Sequence, residues 1–125
     1  VDLTATENVT TFWGTFFNSG GVALQLPDWD YNTATNMQWT FTGWGAMTVA
    51  NPIQTRAITI ATQHFKDCTI PTSDYSDYLI DTEANNQNSS VVFHGGDSTY
   101  NASGATARAA LIADHSWTIT DGGAA

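Results

Sequence analysis

The segment Asn8-Val9-Thr10-Thr11-Phe12-Trp13-Gly14-Thr15-Phe16 lies over Thr33-Ala34-Thr35-Asn36-Met37-Gln38-Trp39-Thr40-Phe41 when the chain is shifted by 25 positions. The shift pairs Phe12 with Met37 and Phe16 with Phe41, and apolar residues four apart suit one short helical turn. Between the copies, Val22-Ala23-Leu24-Gln25-Leu26 alternates as a strand does, and Pro27, which has no N–H, stops the pairing. A unit of helical turn followed by short strand cannot bury its apolar face alone, so it predicts a stack of short parallel strands. Ala57-Ile58-Thr59-Ile60 is the expected strand of a later unit, although residues 48 to 70 otherwise match poorly. Two unrelated amphipathic stretches are the alternative reading of the same residues.

The second half has a different pattern. Ser73 stands where an N-cap is wanted, and Tyr75, Tyr78, Leu79 and Thr82 share one helical face. Asn85-Asn86-Gln87-Asn88 ends that helix, Val91-Val92-Phe93 reads as a buried strand, and His94-Gly95-Gly96-Asp97 as a turn. A second helix is expected over 105 to 114, with Ala107, Leu111 and Ala110 facing one way, followed by the strand Trp117-Thr118-Ile119-Thr120. Residues 1–70 therefore read as repeats and residues 71–125 as a helix-strand-helix-strand cap over the open apolar end of the stack, in one continuous unit.

Composition restricts the function. Twelve acidic against three basic residues give a formal charge of -9, which repels polyphosphate and anionic bilayers, so nucleic-acid binding and membrane insertion are excluded as expectations. Fifteen aromatic residues, five Trp, six Phe and four Tyr, are too many for a disordered acidic tail. Cys68 has no partner for an intrachain disulfide. The chain begins at Val1 rather than Met, which suggests processing or a piece of a longer polypeptide, and its longest apolar runs are too short to span a bilayer.

The stretch from Tyr100 to Gly123 carries a Tyr, the pairs Ala107-Arg108 and Leu111-Ile112, and the run Trp117-Thr118-Ile119-Thr120-Asp121-Gly122-Gly123. This ending resembles the C-terminal module of BspA-type leucine-rich-repeat surface proteins. Ser73-Asp74-Tyr75 to Leu79-Ile80 resembles the Tyr-containing helix before the cap, and Asn36-Met37, Phe41 and Trp29-Asp30 resemble elements of the repeat. The first copy departs from it, with Thr11-Phe12 in place of Asn-Met. The resemblance implies an α/β repeat fold, a short leucine-rich-type solenoid of parallel strands with helical turns closed by the cap. It also implies display or attachment at a bacterial cell surface or on a virion, without chemistry.

The residues themselves favour binding over catalysis. No Gly-x-Ser-x-Gly elbow occurs, and His64, His94 and His115 lie in no spacing that specifies a triad or a zinc site. His115 suits the free carbonyls of a helix end, Asp74, Asp77 and Asp81 read as a solvated face, and Cys68 as a small buried hydrophobe. Asp28, Asp30 and Asn32 alternate like the opening of a calcium loop, but Thr33 and Trp39 occupy the positions of its Gly and its bidentate Glu. The expectation is therefore no cofactor, with calcium as the weak alternative. Trp13, Trp44 and Trp39 are the candidate binding residues, because exposed aromatics beside Asn and Asp suit a sugar-binding face; Trp29 and Trp117 read as core. Sequons at Asn8, Asn88 and Asn101 matter only in a host that glycosylates them. The functional expectation is a non-enzymatic extracellular module for attachment or adhesion, whose partner is a cell-surface glycan or protein. The alternative is a structural subunit that assembles with neighbouring copies of itself into a fibre, shell or phage tail or capsid.

Overall fold

Parallel backbone hydrogen bonds tie the chain to itself one repeat apart. In the computed structural model, which describes residues 9–18, 24–25, 31–49, 52–86 and 88–125, Phe12 N–H donates to the Asn36 carbonyl at 2.9 Å and Phe16 N–H to that of Thr40 at 3.0 Å. The next rung continues: Met37 N–H donates to Ile60 at 2.8 Å and Phe41 N–H to His64 at 3.1 Å. The 25-residue register between the first two copies holds, with Thr11 bridging Asn36. Residues 61–67 form a third copy that the sequence reading missed, because Ala61 and Gln63 replace the large Met37 and Trp39 and only Phe65 keeps its type. Side-chain hydrogen bonds between rungs span similar lengths of chain, from 21 residues for Thr42 to Gln63 up to 31 for Asn86 to Thr55.

Two sequence expectations change in these rungs. The helical turns are tight i+3 to i turns, with Thr15 N–H donating to Phe12, Thr40 to Met37 and His64 to Ala61, rather than α-helix. Residues 57–60 are not the equivalent of the 22–27 strand, whose described part is β1 (Leu24–Gln25). Its equivalents are β2 (Gly45–Thr48) and β3 (Cys68–Thr69), paired in parallel through Leu24↔Met47 and Gly45↔Cys68. Ile58 instead occupies the place of Ala34, since Ile58 N–H bonds Thr55 as Ala34 N–H bonds Tyr31.

The rungs stack on aromatic rings. Phe16 lies parallel to Phe41 at 5.5 Å, Phe41 to Phe65 at 5.5 Å, and Phe65 meets Phe93 edge-on at 6.2 Å. Phe93 reaches Trp117 at 6.3 Å, so one aromatic column runs from the first described rung to the residue that precedes the last strand.

Residues 71 onward form the expected helix-strand-helix-strand order. Helix α1 (Thr72–Asn85) buries Tyr75, Tyr78, Leu79 and Thr82, but Pro71 holds its N-cap position and Ser73 is exposed within the first turn. Strand β4 (Val92–His94) pairs in parallel with β5 (Thr118–Thr120). Helix α2 (Ala102–His115) starts earlier than expected, because the Asn101 side chain accepts the Gly104 N–H at 3.0 Å and caps it. Gly104 is what lets the two helices close: a Cβ there would lie 2.9 Å from the Ser76 Cβ and Oγ. The result is a small α/β domain with two helices and short parallel sheets, and no described helix is long and apolar enough to cross a membrane.

Because Phe41 is fully buried between two parallel rings, Phe41→Ala should lose about 3–5 kcal/mol of stability, read as a lowered urea midpoint. Trp13→Ala, at an exposed ring, should move the midpoint far less.

Candidate binding face

Alternation along the rungs sorts side chains inward and outward. Phe12, Met37, Ala61 and Phe93 point into the core, and Ile119 is half-buried at the end of their row. The bridges Thr11↔Asn36↔Ile60 and the pair Val92↔Thr118 place their neighbours in an outer row, and Trp13, Gln38, Thr62, His94 and Thr120 follow two residues on. Neither outer row contains Asp, Glu, Lys or Arg, in a chain whose formal charge is -9. Ile60 and Val92, neighbours through the Ala61↔Phe93 bridge, are 44% and 49% exposed. Parallel sheets are ordinarily covered on both faces. Here one face stays open, neutral and partly apolar.

An aromatic corner adjoins this face. Trp13 is 56% exposed and Phe17 48%, and their rings lie 6.0 and 6.1 Å from the ring of Trp39. Trp44, the third candidate from sequence, does not belong to it: the ring is buried, its indole N–H donates to the Phe16 carbonyl at 2.7 Å, and it packs edge-on against Phe41. Phe17 is the member the sequence reading missed. Its spacing from Trp13, four residues along the same turn, was the available signal.

The other candidates have structural roles or lie elsewhere. Asp28 and Asp30 lie outside the described residues, and the Asn32 side chain donates to Gln54 Oε1 at 3.2 Å. Among the described residues no group of three His, Cys, Asp or Glu is placed to hold a metal ion. Asp81 is not simply a solvated residue, since it pairs with Arg56 at 2.8 Å. Asn88 donates its amide to the Ala57 and Ile58 carbonyls and Asn101 caps α2, so both sequon side chains serve the fold; Asn8 lies outside the described residues, as does Trp29. Trp117 is core, its indole N–H donating to the Asn88 carbonyl. An open groove of about 460 Å³ between α1 and α2, lined by Ile80, Glu83, Ser103 and Ala107 among others, holds one titratable group, Glu83.

Titratable groups inside the domain are arranged for packing. Cys68 is buried with its thiol directed at the Phe41 carbonyl, and burial pushes its pKa up to about 11, away from nucleophilic thiolate. In the cap, Asp121 is 1% exposed and accepts from Arg108 Nε and from the Tyr75 hydroxyl, each at 2.8 Å. Burial, and then the Asp121 charge, holds the Tyr75 phenol well above its usual range. Arg108 also donates to the Ile119 carbonyl at 3.1 Å and lies over the Tyr100 ring at 5.3 Å. His64 is fully buried with neither ring nitrogen hydrogen-bonded, 4.0 Å from the Phe65 ring and flanked by Phe41 and Phe93. Desolvation lowers its pKa from 6.5 to about 3.

No family model matches this chain, and comparison with curated proteins and with solved structures finds no significant match.

The unfolded chain protonates His64 below pH 6.5 while the folded chain resists until about pH 3. Its effect on stability is therefore absent above pH 6.5 and grows as the pH falls through that window, removing up to about 1.4 kcal/mol per pH unit. His64→Leu should flatten this acid limb in urea titrations at successive pH values. Asp121→Asn should cost about 1.5–3 kcal/mol through the weakened bonds to Arg108 and Tyr75, and thermal unfolding would measure it.

Proposed function

We propose that this chain is a non-enzymatic interaction module that mediates attachment or adhesion through its open rung face. The observation that carries this reading is the outer surface of the parallel ladder, without Asp, Glu, Lys or Arg and exposed at Thr11, Trp13, Ile60, Val92, Thr118 and Thr120, in a protein of formal charge -9. A uniformly solvated surface would spread its acids over that face as over the others. On this reading the fold is a short leucine-rich-type solenoid of BspA type. Three features support it: parallel rungs, the first steps of which are 25 and 24 residues, the Phe16, Phe41 and Phe65 column, and the cap network of Tyr100, Arg108 and Asp121 built from residues that carry the resemblance. The setting it implies is extracellular, on a bacterial surface or a virion, with a cell-surface glycan or protein as partner and no cofactor.

A second reading, a structural subunit that packs against copies of itself, draws support from Ile60 and Val92, adjacent exposed apolar residues on an otherwise polar sheet.

Beads coated with the chain should bind cells saturably. Thr11→Glu, which places a carboxylate on the exposed outer row beside Trp13 without entering the core, should weaken that binding about tenfold or more while leaving thermal unfolding nearly unchanged. Binding that ignores this substitution would place attachment on another surface. Light-scattering assemblies that dissolve in Ile60→Glu, without cell binding, would favour the structural subunit.

A further inference from the structure

Gly14 stands between Trp13 and Phe17 in the first described turn, and a Cβ built on it would meet nothing within 4 Å among the described residues beyond its chain neighbours. Its φ of +59° belongs to the left-handed region, where glycine bears no penalty and a side chain would be strained. The equivalent residues of the next two rungs, Trp39 and Gln63, hold the same conformation at φ 59° and 57°. These two tolerate the strain that Gly14 avoids. The missing side chain at Gly14 leaves open space, here called the notch, beside an aromatic corner in which the rings of Trp13 and Phe17 lie 6.0 and 6.1 Å from that of Trp39.

Two features of the notch specify an occupant. It contains no charged residue, and a formal charge of -9 over the whole chain disfavours an anionic ligand. The Trp39 indole Nε1–H is buried without a hydrogen-bond partner, which leaves a donor next to the rings that a hydroxyl oxygen would satisfy. A ligand with an apolar face for the rings and hydroxyls at its rim meets both demands. The C–H face of a pyranose is such a surface, weakly positive against the negative face of an aromatic ring, while its hydroxyls stay at the edge.

We propose that the Trp13–Phe17–Trp39 notch is a binding site for an uncharged sugar residue of a glycan. The proposal rests on the attachment reading above and names its ligand class. The sugar ring stacks on Trp13 or Phe17, and a hydroxyl reaches the buried Trp39 Nε1 only where the covering side chain moves aside. A second copy of the chain is the competing occupant for exposed aromatic rings.

The test uses the full chain on immobilised neutral oligosaccharides (glucan, mannan, galactan and chitin fragments), with the same chain on whole cells before and after periodate cleavage of vicinal diols. The expected result is binding to at least one neutral glycan with a shift in Trp fluorescence. Trp13→Ala and Phe17→Ala should each weaken it about tenfold or more, and exposed Ile112→Ala should not. Trp13 and Phe17 are exposed, so these variants keep their fold, which the unfolding curve checks. Cell binding that survives both periodate and Trp13→Ala would overturn the sugar site and leave attachment standing. Absence of binding to every glycan and every cell would overturn both. Concentration-dependent dimers that Trp13→Ala dissolves, with no glycan binding, would give the notch to a second copy.

Discussion

The face-to-face stacking of Phe16, Phe41 and Phe65 is the contact on which the rest of this domain depends. Each rung is too short to enclose its own aromatic ring, so the ring is buried only when the next rung lies directly over it. That requirement fixes the parallel register, and the register then aligns every other position. Thr10, Thr35 and Thr59 fall in line, with Thr35 and Thr59 donating their hydroxyls to the carbonyls of Thr10 and Thr35. The left-handed residues Gly14, Trp39 and Gln63 align in the same way.

The column must end somewhere, and the cap provides the ending. Phe93 and Trp117 continue the aromatic core, while α1 and α2 close on each other where Gly104 meets Ser76. Charged and amide groups inside the cap are paired: Asp121 neutralises Arg108 and receives the Tyr75 hydroxyl, and Asn86 and Asn88 donate to carbonyls between Thr55 and Ile58. His64, before the cap, is an imidazole among aromatic rings with neither nitrogen bonded, and the Thr82 hydroxyl is buried without a partner as well. Neutral, His64 still leaves a donor and an acceptor unbonded, which its stacking on Phe65 offsets in part.

The same register separates surface from core. Inward residues take the aromatic and aliphatic burden, and the outer rows are left to Thr, Asn, Gln and His94, with Trp13, Ile60 and Val92 standing out of them. The acids collect elsewhere, on helix faces and turns such as Asp77, Asp97 and Asp114, where water solvates them. A neutral face and an acidic remainder are thus two consequences of one alignment, and they set what kind of surface the molecule can present to a partner.

Sequence alone determined the 25-residue shift, the pairing of Phe16 with Phe41, the inward face of α1 and the order of the cap elements, because each is written in apolar spacing or in propensity along a few neighbouring residues. It also marked Trp13 and Trp39. Tertiary structure decided the rest. The third rung was hidden because it is held by backbone bonds from Met37 and Trp39 N–H to the Ile60 and Thr62 carbonyls, while the side chains of Ala61 and Gln63 do not repeat those of Met37 and Trp39. Trp44 and Trp13 both stand beside glycine in the sequence, yet one is buried and the other exposed. What separates them is whether a neighbouring rung supplies a ring and an acceptor: the Phe16 ring and carbonyl do so for Trp44, whereas among the described residues of the next rung Trp13 meets the ring of half-covered Trp39. Such contacts join residues roughly one rung apart, and no local pattern records which of them will meet.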